Sequence, residues 1–146
     1  MLRILIALSL LALAPGAQAS EPKAEKQEVG QYVDLSPVAL PIVVRGSLVN
    51  YVFVYVRINL KTGANPVKLR EKEPFFRDAM VRAGHRTPFT KADDYTVIDV
   101  PRLQSTMMRE AIAIAGPAAI KSVVVTSQTP KNRMGLPKPP VAAAKS

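Results

Sequence analysis

The chain has no cysteine. That excludes a disulfide framework, a cysteine-based zinc site, a thiol nucleophile and the simplest route to lipoprotein anchoring. It has one histidine, His85, and with no cysteine or second histidine beside it a transition-metal site is not expected. No run of lysine or arginine exceeds two residues. No apolar run reaches the roughly 20 residues that a membrane-spanning helix needs. P-loop and G-x-G-x-x-G patterns are missing, so no nucleotide site is suggested. Ser36, Ser47 and Ser105 stand outside any nucleophile-elbow context. Asp93 and Asp94 are adjacent carboxylates without EF-hand spacing and read as a solvated turn. His85, near a helix end, reads as a cap or surface residue. The chain is therefore expected to hold no cofactor or metal and to carry out no catalysis.

What is present is a basic, apolar-rich chain. Its 146 residues point to one domain, and 48% apolar content supports a folded core. A net charge of +9 and an isoelectric point near 10.1 bias it towards anionic partners, such as an acidic cell-wall polymer or lipopolysaccharide. Nucleic acid is not expected, because the basic residues are scattered and the chain opens on an export signal.

That signal spans residues 1–19. Arg3 supplies the positive start, residues 4–14 form an uncharged apolar run, and Pro15-Gly16 breaks it. Ala17-Gln18-Ala19 is an A-x-A site, which places cleavage between Ala19 and Ser20 and the mature protein in the periplasm. A retained inner-membrane anchor is the competing reading, and the run is short for it. Residues 20–30 are polar and read as a solvated linker.

The folded part is expected over residues 31–128, organised around residues 48–60, LVNYVFVYVRINL. Leu48, Val52, Val54, Val56, Ile58 and Leu60 share one face, with Asn50 its single polar member. Val49, Tyr51, Phe53, Tyr55, Arg57 and Asn59 share the other, so the stretch reads as a long strand. Residues 32–35 and 40–44 read as shorter strands, the second an edge or bulged strand because of Pro41. Arg45-Gly46-Ser47 turns it into the long strand as a hairpin. Asn65-Pro66 opens a helix whose apolar stripe is Leu69, Phe76, Met80 and Ala83. Pro74 must kink or restart that helix, Glu73 is placed to pair with Arg77, and Gly84 reads as its C-terminal cap. Residues 95–98 read as briefly extended. Asp99 caps a second helix, striped by Leu103, Met107, Ala111 and Ile114 and stopped by Gly116-Pro117. Residues 120–127 are a β-branched strand suited to the far half of the long one. Residues 129–146 hold four prolines and no acid, and read as a disordered or extended tail removable at little cost.

The expected fold class is α+β: a small antiparallel sheet with two helices packed on one face. The helices take the aliphatic face of the long strand. Tyr51, Phe53 and Tyr55, with Arg57 beside them, are left on the other. Either the segment near Tyr32 covers them, or another subunit or protein partner does; Tyr51, Phe53, Tyr55 and Arg57 are the candidate interface.

Four segments resemble the FliL family of flagellar basal-body-associated proteins. They are YVDLSPVALPIVVRGSLVNYVFVYVRINL, LREKEPFFRDAMVRAG, DVPRLQSTMMREAIAIAG and IKSVVVTSQ. Within them, Tyr32-Val33-Asp34-Leu35-Ser36-Pro37 matches the family's Tyr-Val-x-Leu-x-Pro opening, and Pro74-Phe75-Phe76-Arg77-Asp78 matches its Pro-x-x-Arg-Asp helix. The resemblance implies a stomatin-like α/β domain that acts as a self-associating scaffold at the flagellar motor rather than as an enzyme. Family members carry a true transmembrane helix where this chain carries the signal-like run.

Overall fold

The computed structural model describes residues 31–140. Its axis is the strand Ser47–Leu60, named β3 here, which is preceded by β1 (Tyr32–Asp34) and β2 (Val38–Val44). It is followed by α1 (Pro66–Glu71), α2 (Glu73–Arg86), α3 (Val100–Ala115) and β4 (Ile120–Pro130). The fold is α+β, with a small antiparallel sheet of four strands.

β3 pairs with β2 over Val38↔Val54 to Val44↔Ser47, with β1 over Tyr32↔Asn59 to Asp34↔Arg57, and with β4 from Leu60↔Ile120 to Val52↔Pro130. A strand has only two edges. Because β4 overlaps both other ladders, β1 and β2 must lie end to end along one edge of β3 and β4 along the other. The hairpin turn is Arg45-Gly46, with φ of 51° and 77°. Two positive φ values in a two-residue loop follow the twist of the strands, and glycine adopts one without steric cost. Pro41 lies on the edge as expected, and a bulge follows it between Ile42 and Val43.

Leu40, Ile42, Val52, Val54, Val56, Ile58 and Leu60 are buried beneath α2 and α3, together with Phe76, Met80, Leu103 and Met107. Both expected stripes therefore face the sheet. Of the paired Phe75-Phe76 and Met107-Met108, Phe76 and Met107 are fully buried, while Phe75 is 63% exposed. Asn65 accepts hydrogen bonds from the backbone of Val67 and Lys68, and Asp99 accepts one from Arg102. The N–H of Gly116 closes α3 on Ile112.

Several local expectations are corrected. Pro74 restarts the helix, one of its two expected outcomes: α1 ends at Glu71 and α2 begins at Glu73, so the described residues hold three helices where two were expected. Glu73 does not pair with Arg77. Its carboxylate accepts the Ser36 backbone N–H at 2.8 Å and fastens the start of α2 to the β1–β2 junction. The intrahelical ion pair is Asp78 with Arg82. Residues 95–98 form a turn rather than a strand, and only Ile98 bridges, to Thr90. The Asp94 carboxylate holds this turn by accepting the Thr96 hydroxyl and N–H at 2.6 and 2.8 Å. Those two bonds, the hydroxyl's first, draw its pKa below the ordinary value.

Gly84 is not the cap. The last turn continues to Arg86, and Gly84 is buried within α2. A Cβ there would lie 2.7 Å from Cδ2 of Leu40, a fully buried side chain that would have to shift within the core. This glycine lets α2 approach the sheet. Gly84→Val is expected to destabilise the fold by about 1–3 kcal/mol in denaturant unfolding, as overpacked cores do. Unchanged stability would mean that α2 sits further from β2.

The C-terminal boundary is corrected as well. The β4 ladder runs past residue 128, pairing Thr129 with Phe53 and Pro130 with Val52. The next residues are docked too. Lys131 N–H donates to the carbonyl of Tyr51 at 2.8 Å. Asn132 bonds twice to the buried side chain of Asn50, and Leu136 packs against the core. The final six residues, the signal with Ala19 and Ser20, and the 20–30 linker lie outside the described residues.

Candidate interaction face

The side of β3 turned away from the helices carries the expected residues. Phe53 is 41% exposed and Tyr55 42%, with Tyr51 half-buried beside them. The flanking strands explain why the rings are bare. Across the ladders Phe53 faces Ala39 and Thr129, Tyr51 faces Pro41, and Tyr55 faces Ser127. These small neighbours lie along the pleat without rising over the rings, and no described helix packs on this side.

Tyr32 itself does not supply the cover, and the segment before residue 31 lies outside the described residues. It pairs with Asn59 at the far end of β3 and stacks on the guanidinium of Arg57, 3.9 Å from carbon to ring centre. Arg57 Nε and Nη2 donate to the two carboxylate oxygens of Asp34 at 2.7 and 3.0 Å. The bidentate bond to Asp34 raises the Arg57 pKa, against a smaller opposing effect of desolvation. Sequence reasoning placed Arg57 beside the aromatics as a further anchor. The structure places it on the right face but already engaged by Asp34 and Tyr32, so it borders the patch with a closed polar pair.

The face thus divides into two zones. One is an apolar strip of Tyr51, Phe53 and Tyr55; the other is a satisfied Tyr32–Arg57–Asp34 cluster. The strip offers ring surface and a phenol hydroxyl at Tyr55, a composition common at interface centres. His85 is exposed, and its Nδ1–H donates to the carbonyl of Val81 at the end of α2. Asp93 faces Lys91, and Asp94 is taken up by Thr96. Among the described residues no cluster of three or more histidines, aspartates or glutamates could hold a metal. Among them, too, no helix is long and apolar enough to cross a membrane.

One polar centre was only half legible. Asn50 was visible as the polar member of the aliphatic face, but its partners were not. It is 3% exposed, and all its bonding capacity is used. Nδ2 donates to the carbonyls of Tyr95 and Asn132 at 2.9 and 3.0 Å. Oδ1 accepts the N–H of Tyr51 and of Asn132 at 2.9 and 3.1 Å. It ties the Tyr95 turn and the tail to the strand that carries the aromatic strip.

Comparison with known protein families gives no match, and comparison with curated proteins gives none.

Proposed function

We propose that this chain is an exported, non-catalytic interaction protein of the periplasm, FliL-like in its build, that docks a protein partner through Tyr51, Phe53 and Tyr55. The observation that carries the reading is the aromatic strip. Two rings more than two-fifths exposed stand together on a sheet face that nothing described covers, and such patches mark interaction sites more often than bare surface. The resemblance to the FliL family extends the reading to a scaffold at the flagellar basal body.

Changing both Phe53→Lys and Tyr55→Lys tests it. The side chains are exposed, so circular dichroism of the double variant should match the wild type. Partner retention from a solubilised envelope of a flagellated source cell, with motor components identified by mass, should be lost. A variant that unfolds, or one that keeps the same partner, contradicts the reading. Export carries its own check: the intact mass of the protein recovered from the periplasm should correspond to a chain beginning at Ser20. A membrane-bound product retaining Met1 would replace the exported form with an anchored one.

The net charge of +9 favours a second reading, a binder of acidic cell-wall or lipopolysaccharide polymers. Its signature differs. Such binding would survive loss of the two rings and disappear with added salt.

A further inference from the structure

We infer that the free edge of β4 pairs with the same edge of a second copy of this chain, forming a closed twofold dimer with one continuous sheet.

The backbone polar groups of β3 alternate between its two edges. Tyr51 accepts from Lys131, and Lys61 donates to Ala119, so odd-numbered residues in this part of β3 turn their polar backbone towards β4. Val56 accepts from Leu35 and Leu60 donates to Gln31, so even-numbered ones turn towards the other edge. In an antiparallel ladder, residues opposite non-bonded positions turn their groups outward. Val123 faces Ile58 and Val125 faces Val56, so both present N–H and C=O away from the sheet. Pro130 faces Val52 and belongs to the same outward set, where a missing N–H breaks no internal bond.

The two edges of the sheet differ. On the β2 side, Pro41 has no donor to offer, and both backbone groups of Val43 are taken by the Thr90 hydroxyl at 3.0 and 3.1 Å. β1 is only three residues long. On the β4 side no described strand pairs with the outer edge. Natural edges are commonly protected by charge or proline along their length. In β4 the only charge is Lys121 and the only proline Pro130, at its two ends. Between them lies Val123-Val124-Val125, uncharged and β-branched.

These features select the occupant. With one open edge among the described residues, edge pairing between copies must use the same edge twice, and it closes instead of propagating as a filament. Bulges lie near Thr126 and Lys121 and bound a regular stretch between them. Centring an antiparallel pair on Val124 puts Val123 opposite the second copy's Val125 and bonds both outward sets. In this register Lys121 falls opposite Ser127, so no like charges meet. The inference does not depend on the aromatic strip as a docking site.

The test is light scattering of the full mature chain over a dilution series, with hydrogen exchange read at single amides. The wild type should be a dimer that dissociates on dilution, and Val123 and Val125 amides should lose protection as it does. On the twofold axis, Val124 would meet Val124 at about 4.5 Å between Cα atoms. Val124→Lys and Val124→Glu should each therefore be monomeric and folded, and mixing the two should restore a dimer. A monomeric wild type overturns the inference. So does a dimer in which these two amides exchange as fast as in dilute protein. A dimer that Val124→Lys leaves intact, or that is abolished by Phe53→Lys with Tyr55→Lys alone, assigns the contact elsewhere and overturns it as well.

Discussion

Asn50→Asp is expected to cost about 3–5 kcal/mol of stability at neutral pH, the penalty of a buried charge without a compensating partner. The substitution changes one atom's worth of chemistry. The amide nitrogen that donates to Tyr95 and Asn132 becomes an oxygen facing those two carbonyls. At 3% exposure, water cannot shield it. The pH dependence follows in sign. Burial and the facing carbonyls raise the folded-state pKa of the new carboxyl above its unfolded value of about 3.9. The penalty is therefore present at neutral pH and falls away as pH drops through that raised pKa. Recovery should be partial, because a protonated acid has one donor for two carbonyls. Denaturant unfolding of variant and wild type at neutral and mildly acidic pH measures it. Equal stability at neutral pH would show that Asn50 is not sealed among these partners.

Ending the chain after Gln128 is expected to lower the melting temperature by about 8 °C or more. The cut removes Thr129 and Pro130 from the ladder, the Lys131 bond to Tyr51, and both bonds from Asn132 to Asn50. A buried amide is left with one donor and one acceptor unpaired, at about 1–3 kcal/mol each. For a domain of this size each kcal/mol moves the midpoint by roughly 4–8 °C. A chain ending at Pro140 is the control and keeps all these contacts. If the shorter chain melts with the control, residues 129–140 contribute nothing and the sequence-based boundary at 128 stands.

The contrast between these effects and the benign double lysine variant marks the division of the molecule. Stability resides on the helix-covered side of β3 and at Asn50. The proposed docking resides on the opposite side, where exposed rings hold little of the fold together.

What could be read from the sequence was local. The two faces of β3 follow from strict alternation over residues 48–60. The caps at Asn65 and Asp99 follow from side chains bonding two or three residues ahead. The aromatic strip followed from the same alternation, once the helices were assigned to the aliphatic face. What could not be read was long-range. Asn132 finds Asn50 across 82 residues, and no pattern within the tail announces it. Its prolines and lack of acid resemble a disordered segment, yet two amides and one half-buried leucine suffice to dock it. Gly84 looked like a helix stop because glycine is common there; the close approach of Leu40 from another element decided otherwise. Glu73 was given to its helical neighbour, and Ser36, 37 residues away, claimed it. Arg57 was placed on the correct face, but its pairing with Asp34 depended on the β1–β3 register.

In the proposed mode of docking the exposed sheet face, not the helical side, receives the partner. Site-specific photo-crosslinking in cells tests it most directly, with a benzophenone amino acid replacing Phe53 in one strain and Phe75 in another. Both positions are exposed, Phe53 at 41% and Phe75 at 63%, on opposite sides of the molecule. A discrete protein adduct is expected from position 53 and none from position 75. An adduct from position 75 alone, or none from position 53 in cells that express and export the protein, would contradict it.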